Sequence, residues 1–330
     1  MRKALIVGID QYLHLNCLSG CINDAYSVKN ILERNADGTI NFATPKMLIG
    51  NDKSKPITKK QLKNAVKELF EDDSDIALLY FAGHGYIEHT GGFLCAGDCE
   101  TGDDGLSLVE IMTFANQSKA KNRIIILDSC HSGGIGDDIN KTGFVELKEG
   151  TTILTASTKE QYAAEIEGGG AGIFTSLFVD ALNGAAANLL GDVTPGSIYA
   201  HIDKSLGPWS QRPVFKTNVK TFVSLRKASE VISHSDLCAL KDHFPSADYK
   251  LPLDPSFEPE RSAEQEQNSD IPKPDKVNTT TFSLLQRYVK VNLVRPVDEI
   301  HMWHAAMHSK SCELTVLGQH YWKLVNKNLL

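Results

Sequence analysis

No stretch of this 330-residue sequence approaches the roughly 18 consecutive apolar residues that a transmembrane helix needs, so we expect no membrane span. An excess of basic residues is also absent. The 34 Lys and Arg residues are outnumbered by 41 Asp and Glu, and the formal net charge of -7 disfavours nucleic acid as a partner. The first apolar run, residues 3–9, is too short for the core of a signal peptide, which argues against a secretion signal.

Paired cysteines are lacking as well. The seven cysteines are an odd number scattered over a long chain, which excludes a disulfide framework and predicts a reducing, cytoplasmic compartment. The pairs Cys17/Cys21 and Cys95/Cys99 have a spacing unlike the two-residue zinc knuckle. The glycines at 168–172 are not followed by the lysine of a phosphate-binding loop. We therefore expect neither a cofactor nor a metal ion.

What the sequence does contain is a regular alternation of β-rich runs and segments with helical spacing. The predicted strands are 3–9, 43–49, 75–82, 123–128, 151–157 and 220–225. The predicted helices are 22–34, 57–71 with Thr58 as cap, 107–117 and 172–184 with Gly184 as stop. The pattern predicts an α/β fold in which a mostly parallel six-stranded sheet has helices on both faces, because its strands are apolar throughout.

The composition changes after residue 226. We predict a first domain over 1–226, an extended linker rich in proline and charge over 227–278, and a small C-terminal module over 279–330. In that module Leu314-Thr315 and Gly318 lead into an amphipathic helix, a pattern similar to the last helix of winged-helix domains. Its six basic and three acidic residues leave DNA binding open. Docking of a regulatory protein partner is the favoured interpretation.

Two predicted strands lead directly into residues that can perform chemistry. The run 77–82 continues into Gly83-His84-Gly85, and the run 124–127 continues into Asp128-Ser129-Cys130. A cysteine nucleophile needs a base, and neighbouring parallel strands would bring His84 to Cys130 at the same edge of the sheet. The N–H groups of Gly85 and Cys130 are candidates for an oxyanion site. The alternative is a structural thiol and an ordinary loop histidine.

At these residues the sequence resembles the caspase-like cysteine proteases, and among them the metacaspases and their bacterial relatives. LLYFAGHG (78–85) and DSCHSGG (128–134) are similar to the family's histidine and cysteine motifs, about 50 residues apart. The Gln-Ala pair that precedes the cysteine of animal caspases is absent. Further similar segments are 8–12, 18–25, 161–165, 172–182 and 211–218, so that the resemblance covers about residues 1–225.

The resemblance implies a pocket for the basic residue that precedes the cleaved bond. Its acidic groups fall on Asp24 and Asp128, with Cys21 nearby, and two carboxylates beside the nucleophile would hold an Arg or Lys side chain. Asp24 could instead cap a helix. Where the family often has serine two residues before the histidine, this chain has Ala82, which removes one hydrogen bond of the pocket.

The resemblance also implies an activity. We expect a cysteine endopeptidase that acts on protein substrates after Arg or Lys, in bacterial regulated proteolysis or anti-phage defence. Leu108 and Val109 stand where calcium-dependent relatives carry an Asp pair, so calcium is not expected to matter. The loop 133–150 suggests self-cleavage after Lys141 or Lys148. The alternatives are a silent scaffold that acts through its C-terminal module, or a protease of the same clan with another specificity.

Overall fold

The computed structural model of the protein describes residues 1–88, 91–129, 147–156, 172–206 and 212–330. They form two compact units, Met1–Ser229 and Glu230–Leu330. The strands of the first unit are β1 Arg2–Ile9, β2 Lys46–Gly50, β3 Ile76–Ala82, β4 Gly85–Glu88, β5 Gly91–Leu94, β6 Leu106–Ser107, β7 Asn122–Asp128, β8 Thr151–Thr155, β9 Asp192–Val193, β10 Val214–Asn218 and β11 Arg226–Lys227. Its helices are α1 Cys21–Glu33, α2 Lys59–Glu71, α3 Leu108–Gln117, α4 Ile173–Asp180 and α5 Pro195–Ser205.

Six of these strands form the central sheet, in the order β10-β8-β7-β3-β1-β2. All neighbours are parallel except β10, which runs antiparallel to β8. The mostly parallel six-stranded sheet is thus confirmed. The predicted sixth strand, 220–225, is wrong, because the pairing segment is Val214–Asn218. Thr217 of that strand bonds to Thr152 of β8 through their hydroxyl groups, 2.9 Å apart.

Successive residues of a strand point to opposite faces, and the sheet has a separate hydrophobic core on each. Leu79 and Phe81 of β3 pack into one core with α2 and α3, whereas Leu78 and Tyr80 pack into the other with α1, α4 and α5. Gly8 lets α1 lie close to the sheet, since a Cβ there would come within 2.5 Å of the Cys21 carbonyl oxygen. Helices on both faces are the physical reason for strands without polar alternation.

The helix signals in the sequence are also borne out. Thr58 caps α2 by accepting a hydrogen bond from the Gln61 N–H at 3.2 Å, and the Gln61 side chain accepts one from the Thr58 N–H at 2.8 Å. The helix that begins at Ile173 continues through a π-helical turn to Gly184, whose φ of 130° ends it. A small antiparallel sheet, in the order β4-β5-β6, follows directly after β3 and was not predicted.

The second unit corrects the predicted linker over 227–278. That range contains α6 His234–Cys238, α7 Leu240–His243, β12 Lys250–Pro252 and α8 Ala263–Gln267. Leu237, Phe244 and Leu253 are fully or almost fully buried, so the segment is folded into the second unit. A few large apolar residues, spaced among prolines and charged residues, therefore anchor this segment in a folded structure.

The rest of this unit consists of α9 Lys276–Lys290, β13 Val294–Val297, α10 Met302–Met307, β14 Ser311–Leu314 and α11 Val316–Asn326. Its sheet has the order β12-β14-β13 and is antiparallel. Thr315 caps α11 by accepting from the Gly318 N–H at 3.0 Å. The winged-helix assignment stays a prediction. No helix among the described residues of either unit combines the length and apolar character needed to cross a membrane.

Candidate active site

His84 lies two residues beyond the end of β3 and is held through its backbone and its ring. Its N–H donates to the hydroxyl oxygen of Tyr12 at 2.9 Å, and the two ring centroids are 4.7 Å apart. Tyr12 is fully buried, and burial raises the pKa of its hydroxyl well above the ordinary value, so that it stays a neutral phenol. A neutral, rigid partner thus fixes the histidine at the sheet edge.

A hydrogen bond between the imidazole of His84 and the backbone decides the tautomer of the ring. Its Nε2 atom lies 2.7 Å from the carbonyl oxygen of Asn16. A carbonyl oxygen can only accept, so Nε2 carries the hydrogen and Nδ1 keeps the lone pair. The arrangement leaves Nδ1 as the basic atom of the ring.

Two glycines flank His84, and the first of them leaves room for Tyr12. A Cβ on Gly83 would lie 2.7 Å from the Tyr12 hydroxyl oxygen, in the place that the tyrosine occupies. Gly85 opens β4 opposite Leu94 of β5, and the next N–H, that of Cys95, donates to the His84 carbonyl at 2.9 Å. The small sheet therefore continues the backbone of β3 past the histidine.

The strand that leads to Cys130 is the direct neighbour of β3. Ala82, the last residue of β3, pairs with Asp128, the last residue of β7, and the Gly83 N–H donates to the Asp128 carbonyl at 3.3 Å. His84 and Cys130 follow these paired residues by the same two positions. Cys130 itself lies outside the described residues. Ala82 is fully buried, and its methyl group offers no hydrogen bond.

Asp24 and Asp128 are brought together from different elements. Asp24 lies in the first turns of α1 and is only 3% exposed, and Asp128 is 9% exposed. A Cβ placed on Gly172 would be 2.8 Å from the Asp128 Oδ2 atom and 3.3 Å from the Asp24 Oδ2 atom. Both carboxyl groups thus approach one point at the carboxyl edge of the sheet.

Neutral donors hold both carboxyl groups in place. The Gly172 N–H donates to both oxygens of Asp24, at 3.2 and 3.1 Å. The Thr175 hydroxyl donates to Asp128 at 2.6 Å and lies 2.5 Å from the Tyr80 hydroxyl. Burial and then the nearby Asp128 and Asp24 charges raise the pKa of Tyr80 well above its usual value. The described polar groups of the site are therefore buried and linked by hydrogen bonds.

The alternative role of Asp24, that of a helix cap, is not what the structure contains. The helix begins at Cys21 after Gly20, which makes no side-chain capping bond. Asp10 serves the helix end instead, by accepting from the Cys21 N–H at 2.9 Å. Burial raises the pKa of Asp10, and the bonds from the backbone of Cys21 and Ile22 only partly offset this. Cys21 is half-buried, and its side chain also bonds to Asp10.

The acidic loop 98–104, which precedes Leu108 and Val109, uses two of its carboxylates in hydrogen bonds to the chain itself. Asp98 accepts from the Lys59 N–H at 2.8 Å, at the start of α2. Asp104 accepts from the Cys99 thiol at 2.6 Å and from the Glu100 N–H at 2.8 Å. Partial burial would raise the pKa of Asp104, but these and neighbouring N–H bonds outweigh it and lower the pKa to about 2.

Lys148, one of the two predicted self-cleavage sites, lies at the edge where the parallel strands begin, which is opposite to the edge at which His84 lies. It precedes β8, whose first residue, Thr151, pairs with Arg123 near the start of β7. Five strand positions, or about 16 Å, separate Arg123 from Asp128 at the other edge. Self-cleavage after Lys148 stays a prediction, and the position of this residue makes Lys141 the favoured of the two sites. Lys141 lies outside the described residues.

Tyr12, Asn16, Gly172 and Thr175 were missed in the sequence. Tyr12 and Asn16 lie 72 and 68 residues from His84, and Gly172 lies 148 residues from Asp24. A signal existed only for Thr175, a hydroxyl group within the apolar run of α4.

Comparisons with known proteins show which sequences this chain is similar to. The sequence profile of the family described as "Caspase domain" matches residues 1–224. Metacaspase-6 of Arabidopsis thaliana is 28% identical over 234 residues, which cover 65% of this chain and 61% of that protein. Metacaspase-4 of the same plant is 30% identical over 153 residues, covering 42% of this chain and 35% of the relative. The chain thus spans less than two thirds of the length of either relative.

Among solved structures, caspase-1 from Spodoptera frugiperda is similar with a TM-score of 0.49 and 14% sequence identity. The alignment covers 69% of this chain and 91% of that one.

Proposed function

The chain belongs to the caspase-domain family, and from this premise we propose that it is a cysteine endopeptidase that cuts after Arg or Lys. The Cys130 thiol gives its proton to Nδ1 of His84, and the thiolate attacks the carbonyl carbon of the substrate. The imidazolium then protonates the leaving amine. Water hydrolyses the resulting thioester with His84 again as the base.

The bond between Nε2 of His84 and the Asn16 carbonyl supports this role of the histidine. It orients the ring in the neutral state and remains favourable when the ring becomes positive, since Nε2 carries a hydrogen in both states. The Gly85 N–H, one residue further along, is the proposed donor to the developing oxyanion, together with the N–H of Cys130.

The observation that carries the proposed specificity is the convergence of Asp24 and Asp128 at the sheet edge that also holds His84. Two buried carboxyl groups, oriented by Gly172 and Thr175, match the charge of a Lys or Arg side chain and disfavour an acidic one. Cys21, half-buried at the start of α1, is proposed to line this pocket.

Further assignments belong to the same proposal. We place the self-cleavage that would activate the enzyme after Lys141. The family resemblance also supports a role in bacterial regulated proteolysis or anti-phage defence. A cytoplasmic location is proposed from the odd number of scattered cysteines, and a regulatory protein partner from the C-terminal segment.

A fluorogenic peptide library that varies the residue before the cleaved bond tests the function. We expect hydrolysis after Arg and Lys and none after Asp. Cys130→Ala, His84→Ala and the double variant should each lose cleavage to the same extent, because the two side chains act as one unit. Substantial activity of the Cys130→Ala protein would refute the mechanism. Preference for Asp or Asn would refute the specificity alone.

A further inference from the structure

The segment HMWHAAMH (301–308) has no part in the proposed peptidase. It lies in the unit Glu230–Leu330 and forms α10, with His304 inside the helix and His308 directly after its last residue. The two histidines are four residues apart, and the His308 N–H donates to the His304 carbonyl at 2.9 Å. Such spacing places both side chains on the same side of a helix.

A carboxylate from the turn before the helix joins the two histidines. Nδ1 of His308 lies 2.7 Å from Oε1 of Glu299, and the rings of His304 and His308 have centroids 5.6 Å apart. One ligand atom from each of the three residues lies within 4.8 Å of the other two. In a tetrahedral zinc site with bonds of about 2.1 Å, ligand atoms are roughly 3.4 Å apart. Small side-chain rotations would therefore bring these atoms into coordination.

We propose that Glu299, His304 and His308 bind a divalent ion of the zinc class. Two imidazoles and one carboxylate are ligands that Zn²⁺ accepts, whereas Ca²⁺ and Mg²⁺ require more oxygen atoms. Glu299 and His304 are partly buried, and the His308 side chain is 55% exposed. The fourth position faces solvent, where water or a side chain of a bound protein completes the site.

The competing explanation is a simple ion pair between His308 and Glu299. An exposed pair of this kind contributes little to stability, and it does not need His304. The metal site does need it, because loss of one of three ligands leaves only two. His304 therefore separates the two explanations.

The test is calorimetric titration of the full chain with ZnCl₂ after removal of metal. Cys130→Ala serves as the parent, since the nucleophilic thiol would otherwise compete for zinc. We expect one ion per chain. Adding His304→Ala or His308→Ala should weaken binding at least tenfold, the smallest effect expected when even an outer partner of a ligand is lost. Adding His320→Ala, an exposed histidine of α11, should change nothing.

Two checks exclude other origins of binding. Sγ of Cys238 lies 3.6 Å from Nδ1 of His234, a possible second pair of ligands in this unit. Cys238→Ser should therefore leave the titration unchanged, and bound Co²⁺ should show no sulfur-to-metal charge-transfer absorption. Zinc should raise the melting temperature of the parent but not of His304→Ala, with equal melting of both in metal-free buffer. Unaltered binding by His304→Ala, or loss of binding in Cys238→Ser, would overturn the proposal.

Discussion

The two edges of the central sheet differ in how their charged groups are bonded. We call the edge at which the parallel strands begin the amino edge, and the edge at which they end the carboxyl edge. At the amino edge, Asp75 pairs with Lys121 at 2.8 Å and with the amino terminus of Met1 at 2.7 Å. The bond and charge of Lys121, followed by those of the amino terminus, lower the pKa of Asp75 to about 2. All of these groups are half or more exposed. Opposite charges thus meet in solvent, where they contribute little to stability.

The same edge also contains Arg123, a buried cation that is satisfied by uncharged groups. Its guanidinium donates to the Ala120 carbonyl at 2.6 Å, to the Thr151 hydroxyl at 3.2 Å, and to the Glu149 carbonyl. These bonds close the turn before β8. The charged guanidinium of Arg123 thus stabilises the local chain fold.

At the carboxyl edge the charges are buried carboxylates, and their described donors are the backbone of Gly172 and the hydroxyl of Thr175. The difference teaches that the described groups of the amino edge close the chain, whereas the carboxyl edge gathers two buried carboxyl groups beside the strand end that leads to His84, where we propose that the chemistry takes place.

Self-cleavage provides the most complete contrast between the edges. Lys141→Ala should abolish conversion of the purified wild-type chain into two fragments, whereas Lys148→Ala, at the amino edge, should leave it intact. Intact mass spectrometry measures both, with Cys130→Ala as the unprocessed reference. Fragments that end at Lys148 in dilute protein would contradict the assignment of the edges.

Replacement of matched aspartates sharpens the comparison further. Asp24→Asn and Asp128→Asn should each cost about 2 to 4 kcal/mol of transition-state binding, or roughly 30- to 1000-fold in kcat/KM on Arg substrates, because a buried charge loses its partner. Asp75→Asn, at the amino edge, should change kcat/KM less than twofold. Steady-state kinetics measure kcat/KM for each variant. An equal loss of kcat/KM in all three would contradict the proposed difference between the two edges.

The hydroxyl of Thr175 is the next test, because it links Tyr80 to Asp128. Thr175→Val keeps the shape of the side chain but leaves buried polar groups without their partner, at a cost of about 1 to 3 kcal/mol in the free energy of unfolding. Thr175→Ser should restore most of this. Urea denaturation measures the cost, and a valine variant as stable as the wild type would show that the hydroxyl does not hold the carboxylate.

Tyr12 positions His84, and its loss should have a smaller effect. Tyr12→Phe retains the ring contact but removes the acceptor of the His84 N–H, which should cost about 1 kcal/mol of stability and a few-fold in kcat. Tyr86→Phe, on the more exposed β4, is the matched control. If both variants behave alike in kinetics and in urea, Tyr12 does not position the histidine.

The smallest expected effect is a dependence of stability on pH, which arises in the loop between β5 and β6 of the small sheet. The pKa of Asp104 is about 2 in the folded chain and about 4 when unfolded, so its contribution is present above pH 4 and is lost as pH falls towards 2. After allowance for solvent screening this is on the order of 1 kcal/mol. The acid unfolding of Asp104→Asn, compared with Asp103→Asn, measures it; identical profiles would contradict the assignment.

The strand predicted at 220–225 and the linker predicted at 227–278 were both inferred from local composition, which does not reveal strand pairing or long-range packing. The residues 220–225 are more apolar than Val214–Asn218, yet the latter form the edge strand through backbone bonds and a threonine pair. The range 227–278 is rich in proline and charge, yet Leu237 and Phe244 supply buried anchors there. An edge strand or a small core needs few apolar residues. The overall composition of a segment therefore does not reveal either of them.

The sequence alone determined the parallel sheet, its two covered faces, and the positions of His84 and Asp128 at strand ends, because alternation and glycine punctuation are local properties of the chain. Only the tertiary structure decided the tautomer of His84, through Asn16, and the donors that hold Asp24 and Asp128. Those contacts join residues up to 148 positions apart. No local pattern encodes such pairs, since they exist only once the sheet is assembled.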